Sequence, residues 1–146
     1  MPNVRTEIRQ RVRDLLAAAM PGHVVMSHRA FARNVTAAPL IDLKPASETG
    51  EFQTMASSLQ MRELDLAVRI SRQSVDGIED DLDADETIVT ATLCGGVWGD
   101  LCEGYPEPTS ARWFDEVEGG VGISSLVLQF RFEYRIDVND LEQPEG

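Results

Sequence analysis

The sequence predicts a single α+β domain, and three observations lead to that prediction. Between Leu126 and Ile136, near the end of the chain, apolar and polar residues alternate, which is the pattern of a strand with one face on a core. The same alternation runs from Leu64 to Ile70. Two further segments, 4–19 and 78–93, carry apolar residues near the spacing of an amphipathic helix. Two long strands that share a sheet, together with two helices, define the class.

Length and composition limit the number of domains and the compartment. A chain of 146 residues with 42% hydrophobic residues can bury one hydrophobic core but is too short for two cores of adequate size, so we expect one domain over 1–146. No apolar run approaches the roughly 18 residues of a membrane span, and the charged N-terminus is unlike a signal peptide. We expect a cytosolic product that enters no membrane. Cys94 and Cys102 lack C-x-x-C spacing, which favours free thiols.

The charge balance argues against nucleic-acid binding. The chain has 25 acidic and 13 basic residues, a formal net charge of -12 and a pI near 4.4. Binding to phosphate backbones depends on clustered lysine and arginine, which this balance opposes. Lys44 is the only lysine, so every other basic residue is an arginine, whose planar group suits carboxylate pairing at protein contacts.

The first helix is predicted to start after Asn3, a capping residue, and to stop at Pro21. Arg5, Arg9 and Arg13 form a second stripe beside the apolar one. That stripe is either a solvated border of the helix or a contact with another subunit. The apolar stripe consists of Val4, Ile8, Val12, Leu15, Leu16 and Ala19.

Two short strands and a loop are predicted next. The segment HVVMSH, residues 23–28, is short and rich in strand-forming residues. In APLIDLKP, Ile41 and Leu43 share one face, and Pro45 is expected to end the strand. The segment from Pro45 to Ser58 is polar and rich in small residues, so we expect a long flexible loop there.

The two long strands are expected to lie in one sheet with a shared apolar face. In the upstream strand the alternation slips near Arg62 and Glu63, where a β-bulge would bring Leu59 and Met61 onto that face. The other face is charged, which allows ion pairs between arginines and carboxylates. The arginines are Arg69, Arg131 and Arg135, and the carboxylates are Asp65, Glu133 and Asp137.

A second helix and a hairpin complete the predicted chain. Acidic residues crowd the first turns of this helix, where the helix dipole favours them, and Gly95-Gly96 ends it. Its β-branched run from Thr87 to Thr92 would also suit a strand. Residues 97–108 are expected to form a loop or irregular edge, residues 111–118 a strand, and residues 119–122 the turn into the last strand.

Residues able to catalyse a reaction are not grouped in the sequence. His23 and His28 have neither the spacing of a helical metal pair nor an adjacent cysteine or acid cluster, which favours solvated histidines. No phosphate-binding loop, nucleophile elbow or dinucleotide-binding glycine motif follows a strand. We therefore expect no enzymatic activity and no cofactor.

The acidic run of the second helix matches a calcium-binding loop only in part. Counting from Asp81, the sixth residue is Glu86 instead of glycine and the twelfth is Thr92 instead of glutamate. Such a segment cannot turn and close around an ion. We expect no metal site and a solvated acidic helix face.

The order of these elements resembles the tail terminator (tail completion) proteins of phages with long non-contractile tails, and similar proteins of gene transfer agents and prophages. The resemblance covers nearly the whole chain, from an arginine-bearing first helix to a terminal strand with an aromatic residue at Tyr134. The segments that carry it are VRTEIRQRVRDLL, PLIDL, RELDLAVRI, DGIEDDLDADETIVTATL and SLVLQFRFEYRI. Each is common by itself, so the case rests on their order and on the chain length.

The resemblance implies a mixed or antiparallel sheet with two helices packed on one face, and a ring of six subunits. The ring would cap the tail tube, end its polymerisation and form the surface to which the head joins. Its partners would be further copies of itself, the major tail tube protein and a head-completion or neck protein of the virion, which is assembled in the host cytoplasm. DNA would pass through without specific binding. The residues expected at subunit or partner contacts are Arg5, Arg9, Arg13, Arg69, Arg131, Glu133 and Arg135. The residues expected on an acidic channel or solvent face are Asp80, Asp81, Asp83 and Asp85.

Two other classes of function fit the same observations. Another neck, head-completion or minor tail protein of such a particle would share the size and charge. A non-phage cytosolic adaptor, or a small enzyme with an unrecognised site, is the second class. A neighbouring gene for a major tail protein or a tape measure would favour the tail, whereas a metabolic operon would contradict it.

Overall fold

A computed structural model describes residues 4–27, 39–52, 59–118, 120–137 and 140–144 of the chain. Within these ranges the chain forms two helices, α1 (Val4–Ala19) and α2 (Ile78–Cys94), and six strands. The strands are β1 (Val24–Ser27), β2 (Leu40–Phe52), β3 (Leu59–Gln73), β4 (Glu107–Glu118), β5 (Val121–Asp137) and β6 (Asp140–Pro144). Neither of these helices is long and apolar enough to cross a membrane.

The strands form one mixed sheet. Five of them lie in the order β1-β2-β3-β5-β4, and β6 pairs with the end of β5. The pairing of β1 with β2 is parallel, and the other pairings are antiparallel. The structure confirms the predicted α+β class, both helices and the pairing of the two long strands. The run from Thr87 to Thr92 is helical. The strand β6 was not predicted.

The central pair of strands, β3 and β5, supplies the floor of the core. Leu66 lies opposite Phe130 and Leu64 opposite Phe132, and all four side chains are at most 1% exposed. The predicted apolar face is therefore confirmed. Burying a large apolar side chain contributes about 1.5 to 3 kcal/mol, so this face stabilises the sheet far more than its surface charges do. The same face also includes Val68, Ile70, Leu126, Leu128, Tyr134 and Ile136.

Both helices pack on this apolar face. The indole of Trp98, in the loop after α2, lies in the same core, where its ring meets Phe132 edge to face at 5.1 Å. The opposite face of the sheet carries no helix of the described ranges, and we call it the open face. The helical core residues are Val4, Ile8, Val12 and Leu16 of α1 and Leu82, Val89 and Leu93 of α2.

The strand β2 continues through Pro45, where the sequence analysis expected it to end. Residues 45–52 are a strand and not a flexible loop, and residues 53–58 lie outside the described ranges. The strand β1 pairs only with Leu40 to Leu43, so the rest of β2 is an edge among the described strands. A proline is tolerated at such an edge because its nitrogen has no hydrogen to donate to a neighbour.

The β-bulge lies in β2 and not in β3. The strand β3 pairs with β5 from Leu59 to Gln73 without a register shift, so the bulge predicted near Arg62 and Glu63 is wrong. The odd-numbered residues of β3, including Leu59, lie on the open face.

In β2, Ala46 is the extra residue between Pro45 and Ser47, which pair with consecutive residues of β3. The bulge changes which residues of β2 face the core. Leu43 faces it before the bulge, and Glu48, opposite Leu64, faces it afterwards.

Candidate functional site

The open face of the sheet holds the predicted interface residues that come from strands. The alternation of β5 places Arg131, Glu133 and Arg135 there, and Arg69 lies on the same face of β3. The structure thus brings these four residues onto one surface. It does not bring Arg5, Arg9 and Arg13 to that surface, because they lie on α1.

Arg131 is held by two carboxylates of the neighbouring strand. Its Nε atom lies 3.2 Å from Asp65 Oδ1 and 3.5 Å from Glu63 Oε2. The predicted pair with Asp65 is confirmed, and the hydrogen bond to that carboxylate raises the pKa of Arg131. Because the side chain is partly exposed, the pair positions the guanidinium more than it stabilises the fold.

Arg69 is part of a small polar cluster that includes β4. It pairs with Glu116, lies over the ring of Phe114 at 4.8 Å, and is 3.4 Å from the hydroxyl of Ser125. That hydroxyl is 2.9 Å from the hydroxyl of Ser71 across the central strand pair. The predicted partners on β3 and β5 are therefore wrong for Arg69. Its partner comes from β4, a strand whose register the sequence alternation does not fix.

Arg135 pairs with a residue outside the sheet. Its Nη2 atom lies 2.6 Å from Oε1 of Glu103, in the loop between α2 and β4. Its Nε atom is buried and has no hydrogen-bond partner in the described part of the chain. Glu133 is exposed and forms no ion pair with a described residue, and its carbonyl accepts the N–H of Glu103 at 2.7 Å. The side chain of Asp137 lies outside the described ranges.

The arginine stripe of α1 is anchored at one end. Arg5 Nη1 lies 3.0 Å from Glu48 of β2, which places this edge of α1 on the β2 side of the molecule. Arg13 is exposed, and its Nε atom is 3.8 Å from the adjacent Asp14. Arg9 forms no ion pair with a described residue. Both interpretations of the stripe, a solvated border or a subunit contact, are compatible with this geometry.

A carboxylate cluster that the sequence analysis missed closes one end of the core. Glu48 accepts hydrogen bonds from Arg5 and Arg62, at 3.0 Å each, and from the hydroxyl of Tyr134. Burial and this carboxylate raise the pKa of Tyr134. The bulge in β2 brings Glu48 to the core side, and no periodic pattern in the sequence signals that change. The cluster links α1 to three strands.

The acidic residues of α2 fall into an exposed set and one buried exception. Asp80, Asp81 and Asp83 are exposed. Asp85 is only 3% exposed, so its assignment to a channel or solvent face is wrong. It lies three residues after Leu82, on the buried side of the helix.

Two basic side chains surround the buried Asp85. Arg72 donates two hydrogen bonds to its carboxylate, at 2.6 and 2.9 Å, and Nε2 of His23 lies 3.3 Å from Oδ1. Burial alone would raise the pKa of Asp85, but the hydrogen bonds from His23 and Arg72 outweigh it and lower that pKa. The prediction of a solvated His23 is wrong, because its side chain is 10% exposed and next to an acid. His28 lies outside the described ranges.

The described residues contain no group of three or more histidine, cysteine, aspartate or glutamate side chains that could hold a metal ion. Cys94 and Cys102 are free thiols, as predicted. Burial raises the pKa of Cys102 to about 12 and also raises that of Cys94. Because a thiol reacts as its thiolate, both are poor nucleophiles at neutral pH.

Comparisons with known proteins gave a likeness to solved structures. No family model matches the sequence, and no curated protein does. The chain is similar to a chain of a structure described as "Virion of native gene transfer agent (GTA) particle", with 16% sequence identity and a TM-score of 0.43. The likeness covers 90% of this chain and 92% of that one. At this identity and TM-score it does not identify a function.

Proposed function

We propose that this protein is a tail terminator of a phage-like particle. Six copies form a ring on the finished tail tube, end its polymerisation and provide the surface to which the head joins. The observation that carries the proposal is the open face, an extended charged sheet surface on which no described helix packs. The order of elements in the sequence, which resembles that family, supplies the kind of assembly.

The open face has the chemistry of a protein contact. Arg69, Arg131 and Arg135 are each held by a carboxylate and each remain partly exposed. Arginine is enriched at protein interfaces. A side chain that is already positioned loses less conformational freedom when a partner binds. Charges on such a face determine the partner and its register more than the affinity.

The net charge supports the passage of DNA through the proposed ring. Each chain carries -12, so six copies carry 6 × -12 = -72 formal charges. A phosphate backbone meets no general attraction in such a ring and can slide. We propose that Asp80 and Asp81 face the channel or solvent, where their exposure fits either position.

The proposed partners are other copies of the chain, the major tail tube protein and a head-completion or neck protein. The site of action is the head–tail junction of the virion. The proposal requires no cofactor, no metal ion and no catalytic step.

Particles assembled without this protein test the proposal. We expect tail tubes of irregular and excessive length, and heads without tails, in electron micrographs. The wild-type gene supplied in trans restores normal particles. Glu133→Arg, which reverses an exposed charge of the open face, restores few of them, whereas Asp76→Arg, at an exposed acid just before α2, restores them as wild type does.

Tails of normal length joined to heads in the absence of the protein would contradict the terminator function. Tubes of normal length beside unjoined heads would instead favour a head-completion protein.

A further inference from the structure

A cleft of about 500 Å³ lies between α2 and the edge strand β4. Glu79 and Asp83 line its helix side, and Trp113 and Asp115 line its sheet side. Trp113 is 54% exposed, although it is one of the largest apolar side chains. None of the three carboxylates forms an ion pair with a described residue, and the only described group that donates a hydrogen bond to the Asp115 carboxylate is the hydroxyl of Ser124, at 2.7 Å. Within the described part of the chain, the cleft therefore offers an aromatic wall and three acids without a basic partner.

A complementary pair of charges lies on α1. Arg9 and Arg13 are four residues apart, as Glu79 and Asp83 are on α2. Residues at this spacing lie on one side of a helix, about 6 Å apart along its axis. The two helices thus carry rows of opposite charge with the same spacing.

The two rows lie on opposite sides of the molecule. The arginine stripe of α1 is on the β2 side, because Arg5 contacts Glu48, whereas the cleft is at β4, the other end of the strand order. One chain cannot bring its own rows together, but two copies can do so head to tail.

We infer that the cleft between α2 and β4 receives the Arg9–Arg13 edge of α1 from a second copy of this chain. The inference rests on the proposed function, because a head-to-tail contact repeated around a closed circle produces the ring. One guanidinium lies over the ring of Trp113, and the carboxylates accept its N–H groups.

A charge exchange tests this contact. Arg9→Glu/Arg13→Glu and, separately, Glu79→Arg/Asp83→Arg each weaken self-association by about 10-fold or more, measured by sedimentation velocity. The variant with all four substitutions regains it. That variant keeps the wild-type net charge of -12, so its recovery reports the contact and not a change in overall repulsion.

A matched control separates the cleft from net charge. Asp76→Arg/Asp80→Arg changes two exposed acids near the start of α2 that do not line the cleft. Each substitution adds two charges, so the net charge moves from -12 to -8, as in Glu79→Arg/Asp83→Arg. This control associates at least as well as wild type.

Iodide quenching of tryptophan fluorescence gives a second readout. Trp98 is buried, so iodide reaches mainly Trp113. Quenching decreases when the wild-type chain associates, and it stays high in either double reversal. Circular dichroism and thermal unfolding check the fold of each variant, and the exposed single changes Arg13→Glu and Asp83→Arg replace a double variant that does not fold.

Three results overturn the inference. They are self-association that survives both double reversals, a four-fold variant that does not recover, and a wild-type chain that stays monomeric at every concentration and salt. None of these results depends on the tail lengths of particles that lack the protein. Those tail lengths test the proposed function separately.

Discussion

At the scale of the residue, Phe132 and Arg131 are neighbours in sequence with opposite roles. Phe132 is buried against Trp98, and Arg131 lies on the open face beside Asp65. Phe132→Ala should lower the free energy of unfolding by about 3 to 5 kcal/mol, and Arg131→Ala should lower it far less. Urea denaturation measures both. Equal losses would mean that the assigned faces of β5 are wrong.

Because the pKa of Asp85 is lowered in the folded protein, the free energy of unfolding should decrease at acidic pH. Because its native pKa is below the ordinary 3.8, the stabilisation is present above that pH and is lost as the pH falls through the native pKa. Asp85→Asn should lower the free energy of unfolding at pH 7 by about 1.5 to 3 kcal/mol and flatten its decline below about pH 4.

Asp100→Asn is the matched control for this experiment. Asp100 also pairs with an arginine, Arg11, and its pKa is also lowered, but its side chain is 58% exposed. Its loss should therefore change the stability less. A decline in acid that is as steep in Asp85→Asn as in wild type would contradict the role given to the buried carboxylate.

The sequence predicts burial at this scale better than it predicts partners. Alternation along one strand assigns Phe132 to the core and Arg131 to the surface, because each face of a strand is a local property. The contacts of Asp85 with Arg72 and His23 join three separate segments of the chain: α2, β3 and the turn before β1. No local pattern contains that information.

At the scale of the element, regular periodicity separates the correct predictions from the wrong ones. Both helices and the central strands have it, and all were predicted. The second half of β2 lacks it, because Pro45 and the extra Ala46 break the alternation. Hydrogen bonds from β3 nevertheless hold the segment as a strand. A polar edge strand of this kind is stabilised by the neighbouring strand. The strand propensities of its own residues do not indicate that stabilisation.

The bulge in β2 leads to a prediction about a deletion. Ala46 is the residue that does not pair with β3, so its deletion leaves Ser47 opposite Asp65 and Glu48 opposite Leu64. The deletion should change the free energy of unfolding by less than about 1 kcal/mol, whereas Glu48→Ala should cost at least about 2 kcal/mol because Tyr134 loses its acceptor.

Urea denaturation of the two variants compares them. A deletion as costly as Glu48→Ala would show that the bulge itself, and not only the face it assigns to Glu48, stabilises the sheet.

At the scale of the whole molecule, charge should control assembly. The proposed ring of six would carry -72 formal charges, and its subunits would repel one another. Dilute subunits in low salt should therefore be monomers. Salt screens this repulsion over about 8 to 10 Å and should promote association, as should high concentration and, most of all, an existing tube end. Salt near 1 M should weaken association again, because it also screens the arginine–carboxylate contacts.

Sedimentation across a salt series measures this dependence. Asp76→Arg/Asp80→Arg, with a net charge of -8, should associate at lower salt than wild type does. Association that only falls as salt is added would contradict control by net charge.

The sequence also predicts the shape of the molecule in part. The order of elements gives the fold class, and the charged alternation of the long strands gives the open face. The cleft between α2 and β4 could not be predicted, because it depends on how the helix packs beside a strand edge. Only the packed structure places Trp113 opposite Glu79 and Asp83.

During synthesis, β3 leaves the ribosome well before its central partner exists. Residues 74–120, which are 47 residues, separate Gln73 from Val121, where β5 begins. At about 5 to 20 residues per second, their translation takes roughly 2 to 9 seconds. For that time the hairpin of β2 and β3 presents a bare hydrogen-bonding edge and an uncovered apolar row to other nascent chains. We expect a chaperone that recognises short apolar strands to bind the chain in this interval, and slower translation of residues 74–120 to lengthen the exposure.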